Sequence, residues 1–177
     1  LAEFGIRAIG YVVELGGVKI APQPGTLEEH RTLRDQSEIY SLDPGRDEEI
    51  KHLIDDTRKA GDTLGGVVEV RVEGLPFGLG THAQWDRKLD GRLAQAVMAV
   101  QAIKGVEIGD GFSAAGVVGS LAHDEIVPGP SGGFSRRTNR AGGLEGGMTN
   151  GEPLVVRAAM KPIPTLMRPL ASMDLLT

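Results

Sequence analysis

The sequence predicts an α+β fold with mainly antiparallel sheets, formed as a single domain over residues 1–177. Two patterns carry this prediction. Apolar and polar residues alternate over residues 68–73, which is typical of a strand with one buried face. Apolar residues recur at helical spacing over residues 89–104, which predicts an amphipathic helix. With 40% hydrophobic and 24% charged residues, the chain can bury a core, which excludes a disordered tail.

The first strand is predicted within residues 4–20, and the Gly16-Gly17 pair is predicted to form a turn after it. Its alternating apolar positions are Ile9, Tyr11, Val13 and Leu15. Residues 21–46 are polar and contain several prolines. We expect them to form an excursion or loop, with a short helix over residues 27–33.

A second helix is predicted to begin at Asp47, whose side chain can cap the N-terminus, and to stop at Gly61. Its expected buried positions are Ile50, Leu53 and Ile54. The strand over residues 68–73 follows, and we expect its valines to lie on the buried face. A short strand is expected at residues 106–108, directly after the helix over residues 89–104.

The composition changes in residues 105–151, which hold half of the 26 glycines, six of them in adjacent pairs. Such a stretch cannot be a regular helix or a central strand throughout. A further strand is predicted over residues 154–160, and the prolines of residues 161–165 end it.

Composition excludes several classes of function. Without cysteine there is no disulfide framework, thiolate zinc site or cysteine nucleophile, and a cytoplasmic location is the natural expectation. No P-loop or serine-hydrolase motif occurs, and the four histidines are too scattered for a metal site. A net charge of -5 and 4% aromatic residues argue against nucleic-acid and membrane-surface binding. The N-terminus lacks a start Met and a basic region, so it resembles the middle of a longer protein rather than a signal peptide.

An anion site is predicted in the C-terminal third, because residues 133–177 carry a net charge of +3 while the rest is acidic. Prolines 162 and 164 fix the backbone between the Lys161 charge and the Thr165 hydroxyl. Paired glycines give a phosphate access to backbone N–H groups. Tight turns and a solvated strand end are the alternative interpretations. The run His123-Asp124-Glu125 is either an acid–base cluster or plain surface.

Four motifs give the sequence a resemblance to a known family. They are LDGRLA at 89–94, QAIKGVEIGDGF at 101–112, TNRAGGLEGGMTNG at 138–151 and KPIPT at 161–165. Their order and spacing resemble those of chorismate synthase, and DTLGG at 62–66 and GLG at 78–80 also fit. The chain resembles the central part of that family. The family's N-terminal segment, with its substrate-binding arginines and an essential histidine, is absent, as is its C-terminal segment.

The resemblance implies a fold, a reaction and a cofactor. The fold is a β-α-β-α sandwich, assembled as a homotetramer in the full-length family. The reaction is the 1,4-anti elimination of phosphate from 5-enolpyruvylshikimate 3-phosphate to give chorismate, the last step of the shikimate pathway. It requires reduced FMN without net redox change, and NADP is the nicotinamide cofactor associated with it.

The resemblance also implies flavin contacts at Gln101, Ala102, Gly146, Lys161, Pro162, Ile163, Pro164 and Thr165. Substrate or phosphate candidates are Arg136, Arg137, Asn139 and Arg140. No catalytic residue is assigned, because the histidines associated with proton transfer in the family lie outside this chain. We expect the chain alone to be inactive. Two alternatives stay open. In the first the chain is a fragment with a non-enzymatic or vestigial role, and in the second it is an unrelated phosphate-binding module.

Overall fold

The computed structural model describes residues 1–21, 23–129 and 132–174. Its α-helices and β-strands are, in chain order, β1 (Arg7–Leu15), β2 (Val18–Lys19), α1 (Leu27–Gln36), α2 (Asp47–Lys59), β3 (Gly66–Glu73), α3 (Leu89–Met98), β4 (Ile103–Ile108), α4 (Gly119–Ala122), β5 (Ile126–Pro128), β6 (Phe134–Arg136), β7 (Leu144–Glu145), β8 (Met148–Thr149) and β9 (Leu154–Met160). Among the described residues, no helix is both long and apolar enough to cross a membrane.

Five strands form one antiparallel sheet in the order β2-β1-β3-β9-β4. The last strand in the sequence, β9, is inserted between β3 and β4, and every one of its residues has a partner on β3. Two further hairpins, β5-β6 and β7-β8, lie outside this sheet. The α+β class with mainly antiparallel sheets is therefore confirmed.

Helices cover the two faces of the sheet at different places. On one face, Ile9 and Tyr11 of β1 pack against α1 and the loop after it, through Leu27 and Leu42. On the other face, Leu154 and Val156 of β9 form a core with side chains of α3 and of the β7-β8 hairpin: Leu89, Leu93, Val97 and Leu144. The core is thus divided into two apolar clusters, one on each side of the sheet.

The expected excursion over residues 21–46 contains α1, which confirms the predicted short helix and extends it to Gln36. Pro22 lies outside the described residues. Thr26 and Glu29 form a reciprocal capping box at the start of α1, which explains why the helix begins there. The stretch after α1 is held to β1, because Val12 N donates to Tyr40 O at 2.9 Å.

The prediction that Asp47 caps α2 is wrong. Arg46 is the N-cap residue, and no side chain makes a capping hydrogen bond there. The buried Asp47 carboxylate instead accepts hydrogen bonds from Ser37 Oγ at 2.8 Å and Glu38 N at 2.6 Å. Asp47 therefore ties the excursion to α2, a tertiary contact that local sequence does not indicate.

At the centre of β3, the buried face is also the opposite of the predicted one. Val68 and Val70 are 39% and 38% exposed, whereas Glu69 is 5% exposed. The reason is a polar cluster across three strands, because Glu69 accepts hydrogen bonds from Tyr11 Oη and, at 2.7 Å, from Arg157 Nε. These bonds compensate for the burial of the carboxylate. Burial and the bond to Glu69 raise the pKa of Tyr11 well above its usual value.

The predicted helix over residues 89–104 is too long. It ends at Met98, and a turn leads into β4, which begins at Ile103. Pairing of Ile103 with Met160 of β9 favours strand geometry over another helical turn at this point. The turn between α3 and β4 thus comes to lie at an end of the sheet.

The Tyr11–Glu69 hydrogen bond gives a test of the polar cluster. We expect Tyr11→Phe to lower the free energy of unfolding by about 1.5–3 kcal/mol, because it leaves a buried carboxylate short of one donor. Tyr40→Phe is the matched control, since the Tyr40 side chain is 63% exposed. Urea denaturation gives the free energy of unfolding of both variants. Equal stability of the two variants would contradict the role given to the cluster.

Candidate functional site

The 161–165 segment follows β9 directly, and all five of its residues are exposed. Lys161 N donates a 3.0 Å hydrogen bond to Ala102 O, in the turn between α3 and β4. This bond continues the β4–β9 pairing beyond Ile103 and Met160. Two segments far apart in the sequence therefore meet at one point of the surface, which we name the junction (residues 101–102 and 161–165).

Ala102 has a left-handed backbone, with a φ of 68°. Only a small fraction of non-glycine residues adopt this conformation, and a short, unbranched side chain does so with less crowding. It reverses the chain between α3 and β4, where Ile103 N also donates to Val100 O at 3.2 Å. The reversal leaves the Ala102 carbonyl free of α3 and available to Lys161.

A cavity of about 440 Å³ opens beside the junction. Its aliphatic lining includes Val12, Leu15, Ile54, Ile103, Met160 and Ile163. Ile103 follows Ala102 directly and Ile163 belongs to the 161–165 segment, so the cavity adjoins the junction. The volume lies within the range of small-molecule sites, about 300–1,000 Å³.

Lys161 is the one charged residue of the junction. Its side chain is exposed, and none of the salt bridges found among the described residues includes it. Arg58 and Asp62 also line the cavity. Within the described ranges, no group of three or more His, Asp or Glu side chains could hold a metal ion. The junction therefore carries a cation without a salt bridge among the described residues, and a largely apolar cavity opens beside it.

The other candidate anion ligands lie around the glycine-rich loop. Arg136 forms a two-bond pair with Glu145, with Nη2 to Oε2 at 2.7 Å, and its side chain is 6% exposed. Arg137 pairs with Glu125 at 3.0 Å on the surface. The hydrogen bonds from Arg136 hold the pKa of Glu145 below its usual value.

The Asn139 amide is used within the loop, because Nδ2 donates to Pro153 O at 2.7 Å and Oδ1 accepts from Gly143 N at 2.8 Å. Arg140 is the one member of the predicted set whose guanidinium has no salt bridge within the described parts of the chain. Of the four candidates, Arg140 is therefore the best placed to contact an added anion.

Asp124 anchors this loop. Its carboxylate accepts hydrogen bonds from Thr138 Oγ1 at 2.5 Å, Arg140 N at 2.8 Å and Ala141 N at 2.9 Å. Burial alone would raise the pKa of Asp124, but these bonds outweigh it and the pKa is lowered. The neighbouring His123 is exposed. The geometry thus gives Asp124 a structural role in place of the acid–base role considered for this run.

The junction motifs and the fold can now be compared with known proteins. The sequence model of the chorismate synthase family matches residues 1–177. The chain is 55% identical to the chorismate synthase of Geobacter metallireducens, over 100% of this chain and 47% of that protein. The chain belongs to the chorismate synthase family.

Further relatives agree. The chorismate synthase of Brevibacillus brevis is 55% identical over 99% of this chain and 45% of its own length. A crystal structure of chorismate synthase matches the fold with a TM-score of 0.86 and 47% identity, covering 93% of this chain and 51% of that chain. The chain therefore spans about half the length of the chorismate synthases it matches.

Seven of the eight flavin contacts expected from the chorismate synthase resemblance lie at the junction, namely Gln101, Ala102 and residues 161–165. Gly146 lies elsewhere, in the turn of the β7-β8 hairpin, with a φ of 61° and open space where a side chain would stand. Leu89 N donates to Gly147 O at the start of α3, whereas Ala102 follows the end of α3. The length of α3, roughly 15 Å, therefore separates Gly146 from the junction.

Two residues shape these chorismate synthase motifs through contacts that the sequence does not predict. Thr63 Oγ1 donates to Ile163 O at 2.7 Å, and Asp124 holds the loop that contains Arg140. The signal for Thr63 is its place in the DTLGG motif at 62–66. Spacing alone does not show which distant segment such a hydroxyl contacts.

The lowered pKa of Asp124 predicts a pH dependence of stability. A carboxyl group whose pKa is lower in the folded state stabilises it above the unfolded pKa of about 3.9, and this contribution disappears as pH falls through the folded pKa. We expect Asp124→Asn to lower the free energy of unfolding at pH 7 by about 1–3 kcal/mol. Its stability should also fall less than that of the wild type between about pH 5 and pH 2. Parallel pH profiles in urea denaturation would contradict the assignment.

Proposed function

We propose that the complete protein that carries this chain eliminates phosphate from 5-enolpyruvylshikimate 3-phosphate to give chorismate. The reaction is a 1,4-anti elimination with reduced FMN, the last step of the shikimate pathway. Membership of the chorismate synthase family supports the proposal. Since the chain matches about half the length of its relatives, we also propose that it does not turn over substrate by itself.

The observation that carries the proposal is the meeting of Gln101 and Ala102 with the 161–165 segment beside an apolar cavity. FMN joins a flat, largely apolar ring system to a phosphate, so it needs an aliphatic wall and a nearby cation. The cavity lining supplies the wall, and Lys161 supplies an ammonium without a salt bridge among the described residues. The residues present therefore fit this cofactor.

The residues of this chain act by binding and orienting. When bound, reduced FMN supplies transient electron density that helps the carbon–oxygen bond to phosphate break. Pro162 and Pro164 fix the backbone, so Lys161 and Thr165 present their charge and hydroxyl at set positions. Arg140 is our preferred phosphate contact, while Arg136, Arg137 and Asn139 would need to exchange existing partners.

Gly146 stays a proposed flavin contact, with a condition set by its distance from the junction. Because α3 separates the two, one flavin reaches both only if it extends along α3 or if Gly146 comes from another subunit. The homotetramer that we propose for the complete protein offers the second route. NADP as the associated nicotinamide cofactor and a cytoplasmic location are proposed on the family resemblance alone.

The test is a titration of the complete gene product with FMN, followed by visible absorbance, with and without 5-enolpyruvylshikimate 3-phosphate. We expect a saturable spectral change that the substrate tightens, and chorismate formation once the flavin is reduced. Lys161→Ala should raise the Kd for FMN or substrate by about tenfold to a hundredfold, the loss of one charge-assisted contact.

The matched control is Lys51→Ala, which removes the same charge from α2, where Lys51 pairs with Glu38 and Glu48. It should leave the titration unchanged. If the wild-type protein shows no spectral change with FMN, the proposed function is wrong. If Lys161→Ala and Lys51→Ala titrate alike, the role of Lys161 is wrong.

A further inference from the structure

The 161–165 segment has backbone angles restricted by its prolines, but few hydrogen bonds that hold it against the rest of the protein. It belongs to no helix or strand, and Pro162 and Pro164 have no N–H group to donate. The Lys161 N–H is already bonded to Ala102 O. The position of the segment against the rest of the protein therefore depends on groups that reach it from neighbouring parts of the chain.

Most of these groups come from residues 60–65, the loop between α2 and β3. Gly61 O accepts a hydrogen bond from Met167 N at 3.1 Å, just beyond the segment. Gly65 lies so close that a Cβ atom there would stand 2.5 Å from Met160 O and 2.9 Å from Pro162 Cδ. The loop thus contacts the segment and its flanks at both ends.

Thr63 makes the contact at the centre. Its Oγ1 donates to Ile163 O at 2.7 Å, which is the only side-chain hydrogen bond to the segment within the described residues. The Thr63 N–H is also used, because it donates to Oδ1 of the neighbouring Asp62 at 2.7 Å. A β-branched side chain has few rotamers, so this hydroxyl is preorganised.

We infer that Thr63 is a positioning residue of the flavin site, which fixes the Ile163 carbonyl and thereby the direction in which Lys161 and Thr165 face. The inference rests on the proposed function for its ligand. Thr63 is partly exposed, so water can replace its hydroxyl when it is removed. The loss should therefore loosen the segment without unfolding the protein.

Thr32 provides a matched control outside the cavity. Like Thr63, it has a hydroxyl that donates to a backbone carbonyl, here Glu28 O of its own helix α1 at 3.1 Å. Thr32 is exposed on α1 and is not among the residues that line the cavity. Thr32→Val therefore removes the same group without releasing the 161–165 segment or altering the cavity.

The first measurement is the Kd for FMN of the complete gene product, from visible absorbance. We expect Thr63→Val to raise it about tenfold and to alter the bound flavin spectrum, while Thr63→Ser stays within about threefold of the wild type. Thr32→Val should bind as the wild type does. Equal Kd values for Thr63→Val and Thr32→Val, or failure of Thr63→Ser to restore binding, would overturn the inference.

The second measurement needs no flavin. Hydrogen–deuterium exchange of the unliganded protein should be faster in residues 160–168 of Thr63→Val, at the Lys161 and Met167 amides, and unchanged in Thr32→Val. If the wild type fails to bind FMN, the proposed function is wrong, and this exchange still decides whether Thr63 holds the segment. Unchanged exchange in Thr63→Val would show that it does not.

Discussion

The hydrogen bond from Lys161 N to Ala102 O is the contact on which the candidate site depends. It forms because β9 is held between β3 and β4, so the chain leaves the sheet at a fixed point after Met160. A register shift in the β4–β9 pairing and the left-handed Ala102 bring the turn after α3 to the same point. Strand pairing, rather than any strong local interaction, therefore brings the two motifs together.

The cavity beside the junction follows from the same arrangement. Val12 and Val68 line it from the sheet, and Ile54 lines it from α2. This explains why Val68 is more exposed than an alternating strand pattern predicts. An apolar face that opens onto a cavity is less buried in the unliganded chain, so it contributes less hydrophobic stabilisation. Such a face is typical of a surface that receives a ligand or further protein.

Local patterns predicted the elements whose shape is decided locally. The strand β9 lies at residues 154–160 as expected, and the helix α1 and the turn at Gly16 and Gly17 were also predicted. The errors occur where tertiary contacts decide. Helical spacing continues past Met98, but pairing with β9 makes Ile103 a strand residue. The buried Glu69 and the Asp47 link depend on partners that the sequence does not place.

In the candidate site too, local sequence predicts some features and tertiary contacts decide the others. The motifs at residues 101–102 and 161–165 are recognisable in the sequence, but their meeting depends on strand order, and the contact between Thr63 and Ile163 follows from it. The most direct test is hydrogen–deuterium exchange of the complete gene product with and without FMN. Protection concentrated in residues 101–103 and 160–166 is the predicted result. Protection confined to other segments would contradict a flavin site at the junction.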